Sequence, residues 1–129
     1  MKRVIFACVH NAGRSQMAAA FFNFMADATK AVAVSAGTQP GDRVHPEVLV
    51  VMREVGIDLS GATPRRLTAD LAEGASLLVT MGCGDECPLV LARRRLEWQI
   101  PDPREMPAGQ FREVRDLIEA KVKELLQSL

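Results

Sequence analysis

Apolar residues run along this chain in short blocks that alternate with longer amphipathic ones. The first block, RVIFACV over residues 3–9, is continuous and rich in β-forming side chains, which predicts a strand buried on both faces of a parallel sheet. Residues 15–28, SQMAAAFFNFMADA, place Met17, Phe21, Phe24, Met25 and Ala28 at helical spacing and predict an amphipathic helix. A second short strand follows at 31–38, AVAVSAGT, ended by Gly37 and a QPGD turn. Residues 45–56, HPEVLVVMREVG, read as a helix, with Pro46 in the first turn and Gly56 as the stop. A third buried strand is expected at 75–82, ASLLVTMG. The last 19 residues, 111–129, form a strongly periodic helix with Val114, Leu117, Ile118, Val122 and Leu125 on one face.

Strands that alternate with helices, joined by connections long enough to return parallel, specify an α/β sheet covered on both faces. No repeat, low-complexity tract or linker interrupts the alternation, so a single domain over 1–129 is expected. In such a sheet ligands sit beyond the carboxyl ends of the strands. The loops after the three strands, 8–15, 38–44 and 82–88, are therefore where chemistry is to be sought. All three cysteines fall in the first and the last of them.

Composition changes this picture little. The sixteen basic and sixteen acidic residues cancel, which removes any bulk electrostatic case for nucleic acid or an anionic membrane. No apolar run approaches the roughly 20 residues of a membrane helix. The opening MKRVIFACVHN resembles the start of a signal peptide, but its apolar run is too short and leads into a polar, glycine-containing turn. A cytoplasmic protein is expected, and in a reducing compartment an odd number of cysteines favours thiol chemistry or packing over structural disulfides.

The stretch ACVHNAGRSQM places Cys8 directly after a strand and Arg14 at the start of a helix, with small or polar residues between. A strand-to-helix turn of this kind presents backbone N–H groups of Val9, His10, Asn11, Ala12, Gly13, Arg14 and Ser15 as a cradle for an anion. Asn11 and Gly13 tolerate the left-handed conformations a nest requires. Arg14 offers a planar fork matched to a tetrahedral oxyanion. The same dipoles and charge favour the thiolate of Cys8, and Ser15 is placed to donate a hydrogen bond to it. Neither a Walker A loop nor a GxGxxG turn is present. A buried strand cysteine beside a surface arginine is the plain alternative; C-x5-R-S between strand and helix favours the oxyanion cradle with a sulfur nucleophile.

Other candidates are weaker alone. WQIPDPRE holds Asp102 between Pro101 and Pro103, a restrained loop carboxylate. MGCGDECPLV holds Cys83 and Cys87, whose α-carbons would lie about 6 Å apart on a helix, within disulfide range. Two packed thiols, half of a zinc site or a redox pair all fit that spacing. Zinc would have only Cys8, His10 and His45 as further soft or imidazole partners. His10 either lines the loop or faces solvent, and His45 sits where a helix cap is expected. Arg93, Arg94 and Arg95 read as a solvated face, and Trp98 as core.

C-x5-R-S near the N-terminus with a late Asp-Pro resembles the low-molecular-weight protein tyrosine phosphatase family, and CVHNAGRSQMA followed by TMGCGDECP resembles its arsenate reductase branch, over nearly the whole chain. The resemblance implies a three-layer α/β/α fold with a central four-stranded parallel sheet. It implies Cys8 as nucleophile, Arg14 as oxyanion ligand and Asp102 as the acid that protonates the leaving oxygen. It further implies Cys83 and Cys87 as a disulfide relay that supplies two electrons to arsenate. Thioredoxin or a small-thiol or glutaredoxin-like donor would restore the thiols, with no metal or organic cofactor, and phosphate or sulfate would bind as analogues. This chain has Gly13 where some reductases carry another cysteine, and Ala19 where a glutamate tied to a potassium site is common. The other outcome of the resemblance is a tyrosine phosphatase. Against it, the chain has no tyrosine, and Arg104 follows the Asp-Pro pair where those enzymes usually carry one. A sensor that binds an oxyanion without turnover would not need Asp102.

Overall fold

The computed structural model describes residues 2–82, 94–101 and 109–129. Its elements run β1 Lys2–Cys8, α1 Arg14–Met25, β2 Ala31–Gly37, α2 Pro46–Arg53, α3 Ala69–Ala72, β3 Leu77–Thr80, β4 Arg95–Glu97 and α4 Gly109–Ser128. The strands form one sheet in the order β2-β1-β3-β4, and every pairing is parallel. The fold is thus the α/β class expected from the alternation, with the four-stranded parallel sheet that the resemblance implies; β4 adds to the three strands read from the apolar pattern. No helix among the described residues is long and apolar enough to cross a membrane.

The continuous apolar run of β1 follows from its central place, between β2 and β3. Val4, Phe6 and Cys8 face a core shared with α1, α2 and α4, whereas Ile5 and Ala7 face a smaller cluster with Leu67, Ala72 and Leu78. Period-two alternation cannot show where both faces are covered. Registry carries Cys8 opposite Gly37, so the carboxyl ends of β1 and β2 finish level.

Helix α1 ends at Met25, short of Ala28, because Asp27 Oδ1 accepts from both the backbone N–H and the hydroxyl of Thr29 and turns the chain. Its buried side also differs from expectation. Phe22 is fully buried and meets Phe6 edge-on at 6.0 Å, while Phe24 is 65% exposed. The helix packs against both the sheet and α4, so its apolar stripe is wide and includes Phe22. On α4 the stripe is Phe111, Val114, Ile118, Val122 and Leu125, and Leu117 lies outside it, partly exposed. Trp98 is half-buried against Phe6, as a core residue should be, with Lys121 Nζ over its ring. Arg94 and Arg95 are exposed at the sheet edge; Arg93 lies outside the described residues.

Arg115 occupies a stripe position of α4 and is nearly buried. It donates to Val51 O at the end of α2 and to Glu54 Oε1, while Arg112 grips the same carboxylate. The Arg112 hydrogen bond, foremost, holds the Glu54 carboxyl at about 2, against an ordinary 4.5. A carboxyl depressed in the folded state contributes stability above its unfolded value and loses it as pH falls through the folded one. Glu54→Gln should therefore be less stable than the parent at neutral pH, with the gap closing between about pH 4.5 and 2. Thermal melts across that range check this; a gap independent of pH would count against it.

Candidate active site

The loop between β1 and α1 is shaped by where its carbonyls go. Cys8 O accepts from Thr38 N, Val9 O from Gln39 N, His10 O from Gly41 N, and Ala12 O from His45 N, at 2.8–3.2 Å. A trans peptide carries its N–H opposite its C=O, so the N–H groups of Val9, His10, Asn11 and Gly13 turn to the inner side of the loop. That is the construction of an anion nest. Close approach of the two loops needs Gly37, where a Cβ would lie 2.6 Å from Val9 O and 2.9 Å from Asn11 N.

Asn11 makes the turn. It is completely buried and, with φ 51°, is the non-glycine residue in the left-handed region among the described residues. Its Oδ1 accepts from Arg65 N at 2.9 Å, and its Nδ2 donates to Ser15 Oγ at 2.7 Å. Gly13 was expected to share this conformation and does not. Its φ is −143°, and a Cβ there would meet His45 and Val48 only at ordinary contact distances. The local amide bonds of Asn11 suffice to hold the turn.

Cys8 is 3% exposed, and its Sγ lies 2.8 Å from Ser15 Oγ. Ser15 Oγ accepts from Asn11, which leaves its own proton available to donate to sulfur, the direction a thiolate requires. Arg14, also nearly buried, donates from a terminal guanidinium nitrogen to Ile100 O at 3.2 Å, and its guanidinium packs against Gly82. Cys8, His10, Ala12, Gly13, Arg14 and His45 line one small depression at the carboxyl end of β1. Two larger cavities, of about 340 and 860 Å³, lie away from the sulfur.

His10 Nδ1 donates to Gln39 O at 3.0 Å, which leaves Nε2 as the acceptor of the neutral ring. His45 stands at the start of α2 as expected, but its side chain makes no capping bond and lines the depression instead. Pro46 at the first helical position already removes one orphan donor there.

The structure thus brings together Cys8, Arg14 and the Val9–Ser15 loop. Cys83, Cys87 and Asp102 lie outside the described residues. The described chain approaches Arg14 at Gly82, which precedes Cys83 in the sequence, and at Ile100, two positions before Asp102. Gln16 and the Thr63–Arg65 segment were not anticipated, nor were the close approaches at Gly37 and Gly82. A buried glutamine directly before the apolar MAAAFF run of α1 was the one visible signal among them.

The sequence pattern described as low molecular weight phosphotyrosine protein phosphatase matches residues 3–129. The chain belongs to that family. Within it, the chain is 41% identical over 127 residues to a putative arsenate reductase of Halobacterium salinarum, covering 93% of this chain and 87% of that one. It is 33% identical to the glutaredoxin arsenate reductase of Synechocystis, over 100% and 99% of the two chains. Among solved structures, a thioredoxin-dependent arsenate reductase of Corynebacterium glutamicum superposes with a TM-score of 0.85 at 36% identity. That comparison covers 99% of this chain but only 61% of the longer one. That structure therefore shares nearly the whole of this fold.

Proposed function

We propose that the protein is an arsenate reductase acting through a Cys8–arsenic adduct. The observation that carries this reading is the Asn11–Ser15–Cys8 hydrogen-bond chain, which ends on a thiol beside inward-facing N–H groups and Arg14. The arsenate reductase names borne by similar proteins support the redox outcome over simple hydrolysis.

In the proposed reaction the nest and Arg14 hold three arsenate oxygens while the Cys8 thiolate attacks arsenic. Asp102 protonates the departing oxygen, which leaves as water once fully protonated. Cys83 then attacks Cys8 Sγ. The S–As bond breaks, its electron pair stays on arsenic, and As(V) departs as As(III), leaving a Cys8–Cys83 disulfide. Cys87 attacks Cys83 in turn, freeing Cys8 and forming a Cys83–Cys87 disulfide. A thioredoxin- or glutaredoxin-like dithiol, or a small thiol, returns the two electrons. The cytoplasm, which keeps such donors reduced, is the proposed location, and one domain over 1–129 is the proposed organisation.

The Cys83→Ser variant tests the reading. Turnover of arsenate with thioredoxin, its reductase and NADPH should stop, while hydrolysis of a small aryl phosphate, needing only Cys8, Arg14 and Asp102, should persist within about twofold. Parallel loss of both would assign Cys83 to folding. Undiminished arsenate turnover would remove it from electron transfer.

A further inference from the structure

We infer that Gln16 is a positioning residue for the Cys8 nucleophile, acting through Asn11; the inference rests on Cys8 being the nucleophile, as proposed above. Gln16 is 5% exposed on the first turns of α1. Its Nε2 lies 3.1 Å from Asn11 O, 3.2 Å from Asn11 Oδ1 and 3.2 Å from Thr63 O. Three acceptors face that one end, so its orientation is settled: the NH₂ points to them. Arg65 N, a donor only, settles the Asn11 amide in the same way, by claiming Oδ1. Nδ2 must then face Ser15, which leaves the Ser15 proton available to a Cys8 thiolate.

Gln16 thus grips Asn11 by main chain and side chain at once, at the one residue held left-handed without being glycine among the described residues. Through Thr63 O it also fastens that grip to the segment that supplies Arg65 N. Removing its N–H groups leaves buried acceptors on Asn11 O and Oδ1 without that donor and loosens the left-handed turn, so that Asn11 no longer holds Ser15 in place to donate to sulfur. A Ser15 hydroxyl that no longer donates to sulfur favours the thiol over the thiolate.

The readout is alkylation of Cys8 by iodoacetamide as a function of pH. Because the chain has three cysteines, a Cys83→Ser/Cys87→Ser background leaves Cys8 as the sole thiol. Gln16→Met keeps length without donors; should it fail to fold, Gln16→Leu carries the same test, since it also supplies no N–H. Either variant should move the alkylation profile to higher pH, with the rate below its midpoint down about tenfold. Arg14, His10 and His45, which share the depression with Cys8, are unchanged, so the shift reports the hydrogen-bond chain. A merely structural role would lower the melting temperature and leave the profile in place, and that result overturns the inference. The assay involves no arsenate. A Cys8 inert in the parent background would instead count against Cys8 as the nucleophile.

Discussion

Cys8→Ser is expected to abolish arsenate reduction and aryl phosphate hydrolysis together, by at least about a thousandfold each. The hydroxyl is nearly isosteric with the thiol and enters a site where Ser15 Oγ is already within hydrogen-bond distance, so the fold should survive. What is lost is the sulfur nucleophile that sits beside Ser15, the nest and Arg14. Alcohols resist ionisation far more than thiols. The coupled NADPH assay and a chromogenic aryl phosphate measure the two losses, and a thermal melt checks folding. Retention of more than about a hundredth of either activity in a folded variant would remove Cys8 as nucleophile.

Gly82→Ala should also be damaging, though less so and for a different reason. Gly82 has φ 85°, and a Cβ there would fall on the Arg14 guanidinium. The left-handed backbone alone costs an alanine about 1–2 kcal/mol. Gly56 provides the control, since it has the same φ and nothing within 4 Å of its would-be Cβ. Both substitutions should lower the melting temperature through the backbone. Only Gly82→Ala should weaken phosphate and arsenate binding and reduce kcat/KM, by about tenfold to a hundredfold as the arginine is pushed aside. Calorimetric titration with phosphate compares them; equal anion affinity in the two variants would show that Arg14 adjusts freely.

How legible this was from the sequence depended on the kind of interaction. Strands β1, β2 and β3 and helices α2 and α4 announce themselves, because burial on two faces or one stripe leaves apolar runs or helical spacing. Strand β4 does not: Arg95–Glu97 is a short edge strand with exposed ends, so it carries no apolar signal. The four-residue α3 is held by its Thr68 cap and Ala72 burial, and falls below any periodic window. Phe22 and Phe24 were interchangeable on spacing alone; packing against the sheet and α4 chose Phe22. At the site, the Cys8–Arg14 loop was readable because its chemistry is local in sequence. Gln16 with Thr63, Asn11 with Arg65, and Arg14 with Gly82 and Ile100 are separated by 47 to 86 residues or sit on spacing that any helix shows. Only the folded chain brings them together.

The inward-facing N–H groups of the loop and the flat guanidinium of Arg14 have one more consequence, for selectivity. Such donors count oxygens and measure their spread; they do not touch the central atom. Phosphate, the abundant look-alike of arsenate, must therefore enter the same depression and compete there. Under the proposed chemistry, the choice between the two is made after binding, when a second sulfur pulls on the first. Arsenic accepts the electron pair and departs reduced, whereas phosphorus holds its oxidation state and can only be released to water. The protein's fidelity is then a property of the element it holds, and its exposure to phosphate sets how often the site is free to exercise it.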